Sequence, residues 1–424
     1  MTSDPLRVTV VGAGIIGLSC AIHLHRAGFR VSVIDRDPEG DRTSYGNAGA
    51  VAVAEILPLP EPGIISRLPG FLFDPLGPLS IRLRYMPWLW PYLKHFLKAA
   101  NPTAFKAGTT AMAALLATAM DDHEALLQTV GLSSQLHRQG GLFVYRTEAG
   151  RRAEAEGWAL RKGAGLHAEQ LDRKAIEALE PALGPEAHCG YFTEDWAHYG
   201  DPKLLCEGLL DYLRRNGVEI IAGEIIDFEI KDERPTAIFT AKEAKYEFDH
   251  LVIAAGAWSH KLSAHLGDFY PLETERGYNT TLPNPGVTVS TMTTFSEDQF
   301  VMTPMDMGLR IGGAVEFAGL DAPPNYKRAK ALLRLAGRYL PGLNTDGGTE
   351  WMGHRPSSPD SLPVIDRSSR FRNVYYAFGH GHLGLTGSAT TGRIITRLVQ
   401  DRDPGLDLAP FRITRFNDDD ARLS

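Results

Sequence analysis

Apolar positions recur along the chain with two spacings. Residues 7–11 form a short apolar run, 15–27 carry Leu18, Ile22 and Leu24 on a helical pattern, and 30–34 alternate roughly. With connections this short, the three predict a β-α-β unit, since adjacent parallel strands need a crossover. The same periodicities predict helices over 103–130, 148–162, 172–179, 202–215, 325–339 and 386–399, with Asn216-Gly217 stopping the fourth. Strands are expected at 136–145, 218–221, 251–254, 348–352 and 374–378, with a small meander over 225–248 and mostly strand over 270–317. Residues 39–49 read as a polar, glycine-rich loop. Residues 55–102 hold nine prolines and a cluster of large apolar side chains. Pro87 and Pro91 there argue for short, interrupted helices. The acidic tail from Asp401 is expected to fray.

Composition narrows the class. The chain has 424 residues and a net charge of -7, which disfavours a nucleic-acid coat. A 43% apolar content supports a large core in two or three domains. Three scattered cysteines, Cys20, Cys189 and Cys206, write no zinc cluster or disulfide framework and point to a reducing, cytoplasmic setting. The apolar N-terminus lacks the positive flank of a signal peptide. The apolar stretch 111–120 is too short to span a bilayer.

Gly12-x-Gly14-x-x-Gly17 lies between the first strand and its helix. Gly12 permits the tight turn, Gly14 a close approach of backbone to pyrophosphate, and Gly17 tight helix packing. Ile15 and Ile16 open a helix whose N-terminus favours phosphate. Asp35, followed by Arg36, ends the second strand, where a carboxylate accepts ribose hydroxyls and repels a 2′-phosphate. The motif points to an adenine dinucleotide and does not by itself separate FAD from NAD.

Longer stretches extend this. VTVVGAGIIGLSCAIHLHRAGFRVSVIDR (8–36), YGNAGAV (45–51), HRQGGLFVYRTE (137–148), LVIAAGAWS (251–259), ERGYNTTL (275–282), WMGHRPSSPDSLPVI (351–365) and YAFGHGHLGLTGSATTGRII (376–395) run across nearly the whole chain. Together they resemble the FAD-dependent amine oxidoreductases of the D-amino-acid oxidase superfamily, and bacterial D-amino-acid dehydrogenases most of all. The resemblance implies an α/β fold: a Rossmann-like FAD-binding domain assembled from discontinuous segments, 1–60, 198–268 and 345–415. An α+β substrate domain on a mixed sheet would take 61–197 and 269–344. It implies non-covalent FAD, because the last cysteine, Cys206, lies far from the C-terminal end where some relatives attach flavin. Gly46, Asn47, Ala48 and Gly49 would lie beside the flavin and Gly256 near the dinucleotide. Gly379, His380, Gly381, His382, Leu383, Gly384, Leu385 and Thr386 would lie against the isoalloxazine ring.

At the substrate end, Arg355 follows an apparent strand and precedes Pro356. A guanidinium offers a planar fork for a carboxylate, and the resemblance assigns such an arginine to the substrate's carboxylate. His354 replaces a usually apolar neighbour and would alter the pocket rim. Tyr278 is the candidate aromatic hydroxyl over the substrate. No acid-base or nucleophile set recommends itself, as expected where the flavin carries the chemistry. The protein must bind the carboxylate, favour a neutral amine and aim the α C–H at flavin N5. The implied activity is D-amino-acid dehydrogenation, with D-proline or hydroxylated D-proline among the substrates and a quinone or dye as acceptor. Alternatives are a glycine- or sarcosine-type N-alkyl amino-acid oxidase using oxygen, and a non-enzymatic flavin-binding sensor or structural protein. The 55–102 patch, with Trp88 and Trp90 among Arg82, Arg84, Lys94 and Lys98, has two readings. It is either a packed lid or a peripheral contact at the inner face of the cytoplasmic membrane.

Overall fold

A computed structural model describes residues 4–64 and 79–417. The first β-α-β unit forms as its pattern predicts. Strand Arg7–Val11 leads into helix Ile15–Arg26 and returns as strand Arg30–Asp35, pairing in parallel with Val8 opposite Val31 and Val10 opposite Val33. These strands sit inside a six-stranded sheet. Its order is Glu219–Ala222, Arg30–Asp35, Arg7–Val11, His250–Ile253, Val374–Phe378 and Val364–Arg367, with only the last strand antiparallel to its neighbour. Gly12 has φ +107°, and a Cβ there would stand 2.4 Å from the Ala254 carbonyl oxygen. Only glycine lets the first turn lie this close to the neighbouring strand end. Helices Ile15–Arg26 and Ser388–Val399 pack against each other on one face, burying Leu18, Ile22, Ile394 and Ile395. The meander Ile225–Lys231, Arg234–Thr240, Lys245–Glu247 forms a separate antiparallel sheet.

A larger mixed sheet runs Thr349–Ser357, Glu273–Leu282, Gly308–Phe317, Phe300–Met305, Met292–Phe295, Gly141–Tyr145, Cys189–Thr193 and Glu169–Leu171, with Leu79–Ile81 added beside Val315–Phe317. All pairs are antiparallel except Met292–Phe295 with Gly141–Tyr145 and the added strand. Helix Lys327–Tyr339 covers it with Ala329, Leu332 and Ala336.

Several sequence expectations need correction. The strand expected at 348–352 runs on to Ser357, so Arg355 lies within it. It hydrogen-bonds into the large sheet, although the sequence division grouped 345–415 with the nucleotide segments. Pro356 is tolerated because this is the sheet's edge strand. The helix expected over 103–130 is two, Pro102–Leu116 and Ala119–Val130, the second opened by Thr118, whose hydroxyl donates to Asp122 at 2.8 Å. The 148–162 helix likewise breaks into Glu148–Ala153 and Ala155–Gly163. Residues Met86–Ala99 form one helix despite two prolines. Pro87 sits in the first turn, where its missing N–H costs nothing, and Pro91 forfeits only the bond to the Pro87 carbonyl. Pro69, Pro75 and Pro78 lie outside the described residues. The tail does not fray before residue 417: Phe411 and Ile413 are buried, and Arg415 pairs with Asp360 at 2.8 Å. Residues 418–424 lie outside the described residues.

Candidate active site

One cavity of about 2600 Å³ runs from the carboxyl ends of the six-stranded sheet to the large sheet. Open α/β sheets bind ligands at this end of their strands. Gly12, Gly14, Ile15, Ile16, Asp35 and Arg36 line its first part. Asp35 accepts from the Ala13 amide at 2.7 Å and the Asp37 amide at 2.9 Å, so the turn holds the carboxylate in place and leaves it further lone pairs. The Arg36 guanidinium stacks 3.8 Å over the Trp258 ring. Sequence reading missed two residues here. Ser44 Oγ accepts from the Ile15 amide at 3.0 Å, and Arg42 donates to the Ala13 carbonyl at 2.6 Å. Both come from the polar loop and close over the helix N-terminus, a contact that no local pattern announces.

The loop Gly46-Asn47-Ala48-Gly49 follows, and all but Gly49 line the cavity. Asn47 Oδ1 accepts from the Gly49 amide at 2.8 Å, bending the loop on itself. Two large-sheet residues absent from the sequence reading pin it. Asn279 donates to the Gly46 carbonyl at 2.8 Å, and buried Arg310 donates to the carbonyls of Tyr45 and Asn47 at 3.2 and 2.6 Å. Trp351 lies across Gly46, where a Cβ would be 2.2 Å from the indole.

The segment 379–386 joins strand Val374–Phe378 to helix Ser388–Val399 through a short turn of helix, Gly381–Leu383. Gly256, His380, Gly381, His382, Leu383, Gly384 and Leu385 line the cavity. His380 is buried and bonds Thr391 through Nε2 at 2.9 Å; its Nδ1 has no partner among the described residues, and burial lowers its pKa to about 3. Thr386 stands apart from the lining. Its hydroxyl donates to the Ala50 carbonyl and accepts from the Ala52 amide, both at 3.1 Å, which makes it a clamp on the short strand Ala50–Val51.

On the large sheet, the strand pair Glu273–Leu282 and Thr349–Ser357 places Glu275 opposite Arg355, Gly277 opposite Gly353 and Asn279 opposite Trp351. Alternation puts these on one face, and all six line the cavity. The Arg355 guanidinium folds over Gly277, where a Cβ would be 2.3 Å from it. Among the described residues it donates one bond, to the Ala314 carbonyl at 3.1 Å, and it lines the cavity. Burial lowers its pKa, and the charge of Glu275 opposes that. Glu275 is buried and was not foreseen. Its Oε1 accepts from Ser357 at 2.7 Å and Tyr92 at 3.4 Å, and its Oε2 pairs with His382 Nε2 at 2.8 Å. Burial alone would raise its pKa, but the bonds from His382 and Ser357 and the charge of Arg355 hold it below the ordinary value.

The same alternation bears on two expectations and corrects the one for Tyr278. Tyr278 and His354 project to the opposite side of the strands from Arg355, and both still border the cavity. The Tyr278 hydroxyl donates to Glu316 and accepts from the Asn325 amide at 3.0 Å, and its ring is buried, so the hydroxyl is not free to cover a substrate. His354 Nδ1 is bonded to Thr274 at 2.9 Å. Burial, then the charges of Arg276 and Arg36, lower its pKa to about 4, so it stays neutral at the rim. Among the described residues no cluster of metal-ligating side chains occurs.

The lining fits FAD on three counts. A helix N-terminus and the cationic Arg36, Arg42 and Lys261 flank the part of the cavity where phosphates would lie. Asp35 is positioned for a ribose. The buried His380 Nδ1, without a partner among the described residues, borders the part where a flavin would lie.

Comparisons with known proteins agree with this geometry. The family model described as FAD dependent oxidoreductase matches residues 7–398. A D-amino-acid oxidase of Bradyrhizobium diazoefficiens is 36% identical over 416 residues, covering 96% of this chain and 98% of that one. A D-amino acid dehydrogenase of Granulibacter bethesdensis is 28% identical over 419 residues, covering 97% and 100%. Among solved structures, L-proline dehydrogenase from P. horikoshii superposes with a TM-score of 0.75 at 16% identity, covering 98% of both chains. Glycine oxidase from Geobacillus kaustophilus gives 0.74 at 19%, covering 97% and 99%.

Proposed function

The chain belongs to the FAD dependent oxidoreductase family, and from that premise we propose that it oxidises a free D-amino acid at the α carbon. Bound FAD supplies the hydride acceptor. The observation that carries the reading is Arg355: a cavity-lining guanidinium with, among the described residues, a single hydrogen bond, its other donors left for a ligand. Arg355 holds the substrate carboxylate by its planar fork, and Gly277 leaves it room to lie flat. The product is an imino acid, which water hydrolyses to a 2-oxo acid and an amine or ammonia. The D configuration rests on the names of the two relatives. D-proline and hydroxylated D-proline stand among the substrates to try.

For the electron acceptor we propose a quinone- or dye-like molecule. Helix Met86–Ala99 supports this by serving both sides. Leu89 and Tyr92 are buried against the body, while Trp88 is 68% exposed and Trp90 58% exposed. With Leu83, Arg84 and Lys94 nearby, the outer side suits a membrane interface. Among the described residues no helix is long and apolar enough to cross a membrane. A second reading, oxygen as acceptor, is favoured by the relative named an oxidase.

The test is anaerobic reduction of the bound flavin by D-, L- and N-methyl amino acids. Bleaching by D-amino acids is expected. Faster bleaching by sarcosine or glycine would move the protein to N-alkyl substrates, and no bleaching by any would overturn the reading. With a good substrate, peroxide release in air is then compared with dye reduction without air. Peroxide release equal to the dye rate would identify an oxidase.

A further inference from the structure

The Glu275–His382 pair has no part in binding a carboxylate, yet it stands beside the residue that does. We propose that this pair is the proton acceptor for the substrate's ammonium group. The inference rests on the amino-acid reading above. His382 lines the cavity with 41% of its side chain exposed, and its Nε2 is 2.8 Å from Glu275 Oε2. Glu275 is buried, and its other oxygen is occupied by Ser357 and Tyr92. An ionised carboxylate only accepts, so the imidazole carries a hydrogen on Nε2, and in the neutral ring the lone pair is then on Nδ1. Among the described residues Nδ1 has no hydrogen-bond partner. Arg355 lies in register with Glu275 across the strand pair, so a carboxylate on its fork brings the α-amino group into the same part of the cavity.

A free amino acid arrives as a zwitterion, and its nitrogen has no lone pair to assist loss of hydride from the α carbon. In the proposed step the lone pair of His382 Nδ1 takes a proton from the ammonium. The N–H bond breaks and its electron pair stays on the substrate nitrogen, while the new imidazolium is balanced by Glu275. The proton then leaves to water through the exposed edge of His382. The charged and titratable groups around the pair are Glu275 and Glu273 on one strand, Arg355 on the next, Tyr92 on the overlying helix, and His380 on the same loop. Glu275 acts through His382 and is a positioning residue.

The test is rapid-reaction flavin reduction by a D-amino acid across pH, using FAD-loaded wild type, His382→Asn and Glu275→Gln. At about pH 7, where the amino acid is protonated, reduction efficiency of His382→Asn should fall about 10²-fold. The deficit should close at about pH 10, where free amine is abundant. Glu275→Gln should show the same convergence from a smaller deficit, and it decides alone if His382→Asn does not hold FAD. Binding of a 2-oxo acid, which has no amine, should be unchanged in His382→Asn. A deficit equal at every pH, or none, would overturn the proposal. If wild-type flavin is reduced by no amino acid, the functional reading fails instead.

Discussion

Arg355 and Glu275 are a cross-strand pair, a guanidinium and a carboxylate in register on one face of two antiparallel strands. The pair sets opposite charges a strand apart on the wall of the cavity. It gives the site a polarity that an amino-acid zwitterion matches.

Arg355→Lys keeps the charge and loses the fork. Affinity for substrate, or for a carboxylate inhibitor, is expected to fall at least tenfold, equivalent to about 1.4 kcal/mol. FAD should stay bound, as read by the flavin absorbance after gel filtration. Wild-type affinity in the Lys variant would place the carboxylate elsewhere.

Asp35→Ala should weaken FAD binding by about 1.5–3 kcal/mol for each charge-assisted bond removed. Asp35→Asn retains an acceptor for the Ala13 amide, so it should lose less. Titrating apoprotein with FAD measures both, and equal, unchanged affinities would exclude Asp35 from the ribose site.

Gly46→Ala drives a methyl group into the Trp351 indole. The ring must shift and its 2.9 Å bond to Asp41 is strained, with an expected destabilisation of about 1–3 kcal/mol. Thermal unfolding of Gly46→Ala, Trp351→Ala and the double variant tests the contact. Full additivity of the two changes would show that it does not matter.

Stability should depend on Glu273. Burial foremost, with the nearby Glu275 charge adding to it, raises its pKa from 4.5 to about 7 against the bonds from the Thr274 amide and Tyr85. The folded state therefore holds a proton that the unfolded chain has released. This contribution is full below pH 4.5 and is lost as pH rises through about 7. Glu273→Gln cannot ionise, so its stability relative to wild type should climb across that window by at most about 3 kcal/mol. A flat difference in denaturation midpoint between the two pH values would contradict this.

Trp88→Ala/Trp90→Ala removes two exposed rings, one of which stacks on Tyr85 at 6.2 Å. Wild type should float with anionic liposomes and the variant should not, while dye-linked activity in solution is retained. Equal flotation of both would take the membrane role away from this helix.

The nucleotide half was legible in the sequence because its determinants are contiguous. Gly12, Gly14, Gly17 and Asp35 act through one turn, one helix and the next strand, and their spacing alone states the geometry. Helix limits with strong local chemistry were legible for the same reason, as with the helix from Pro202 that Asn216 and Gly217 end. Arg355 stood out by residue type and by its neighbours in the chain. What it faces did not, because the pairing of Glu273–Leu282 with Thr349–Ser357 brings together segments far apart in sequence. That register placed Glu275 beside Arg355 and turned Tyr278 and His354 to the other face, since side chains alternate along a strand. Closure of the Arg42–Ser44 loop over the first helix, and of His382 onto Glu275, likewise depended on the packing of separate elements. Local propensity carries no information about such packing.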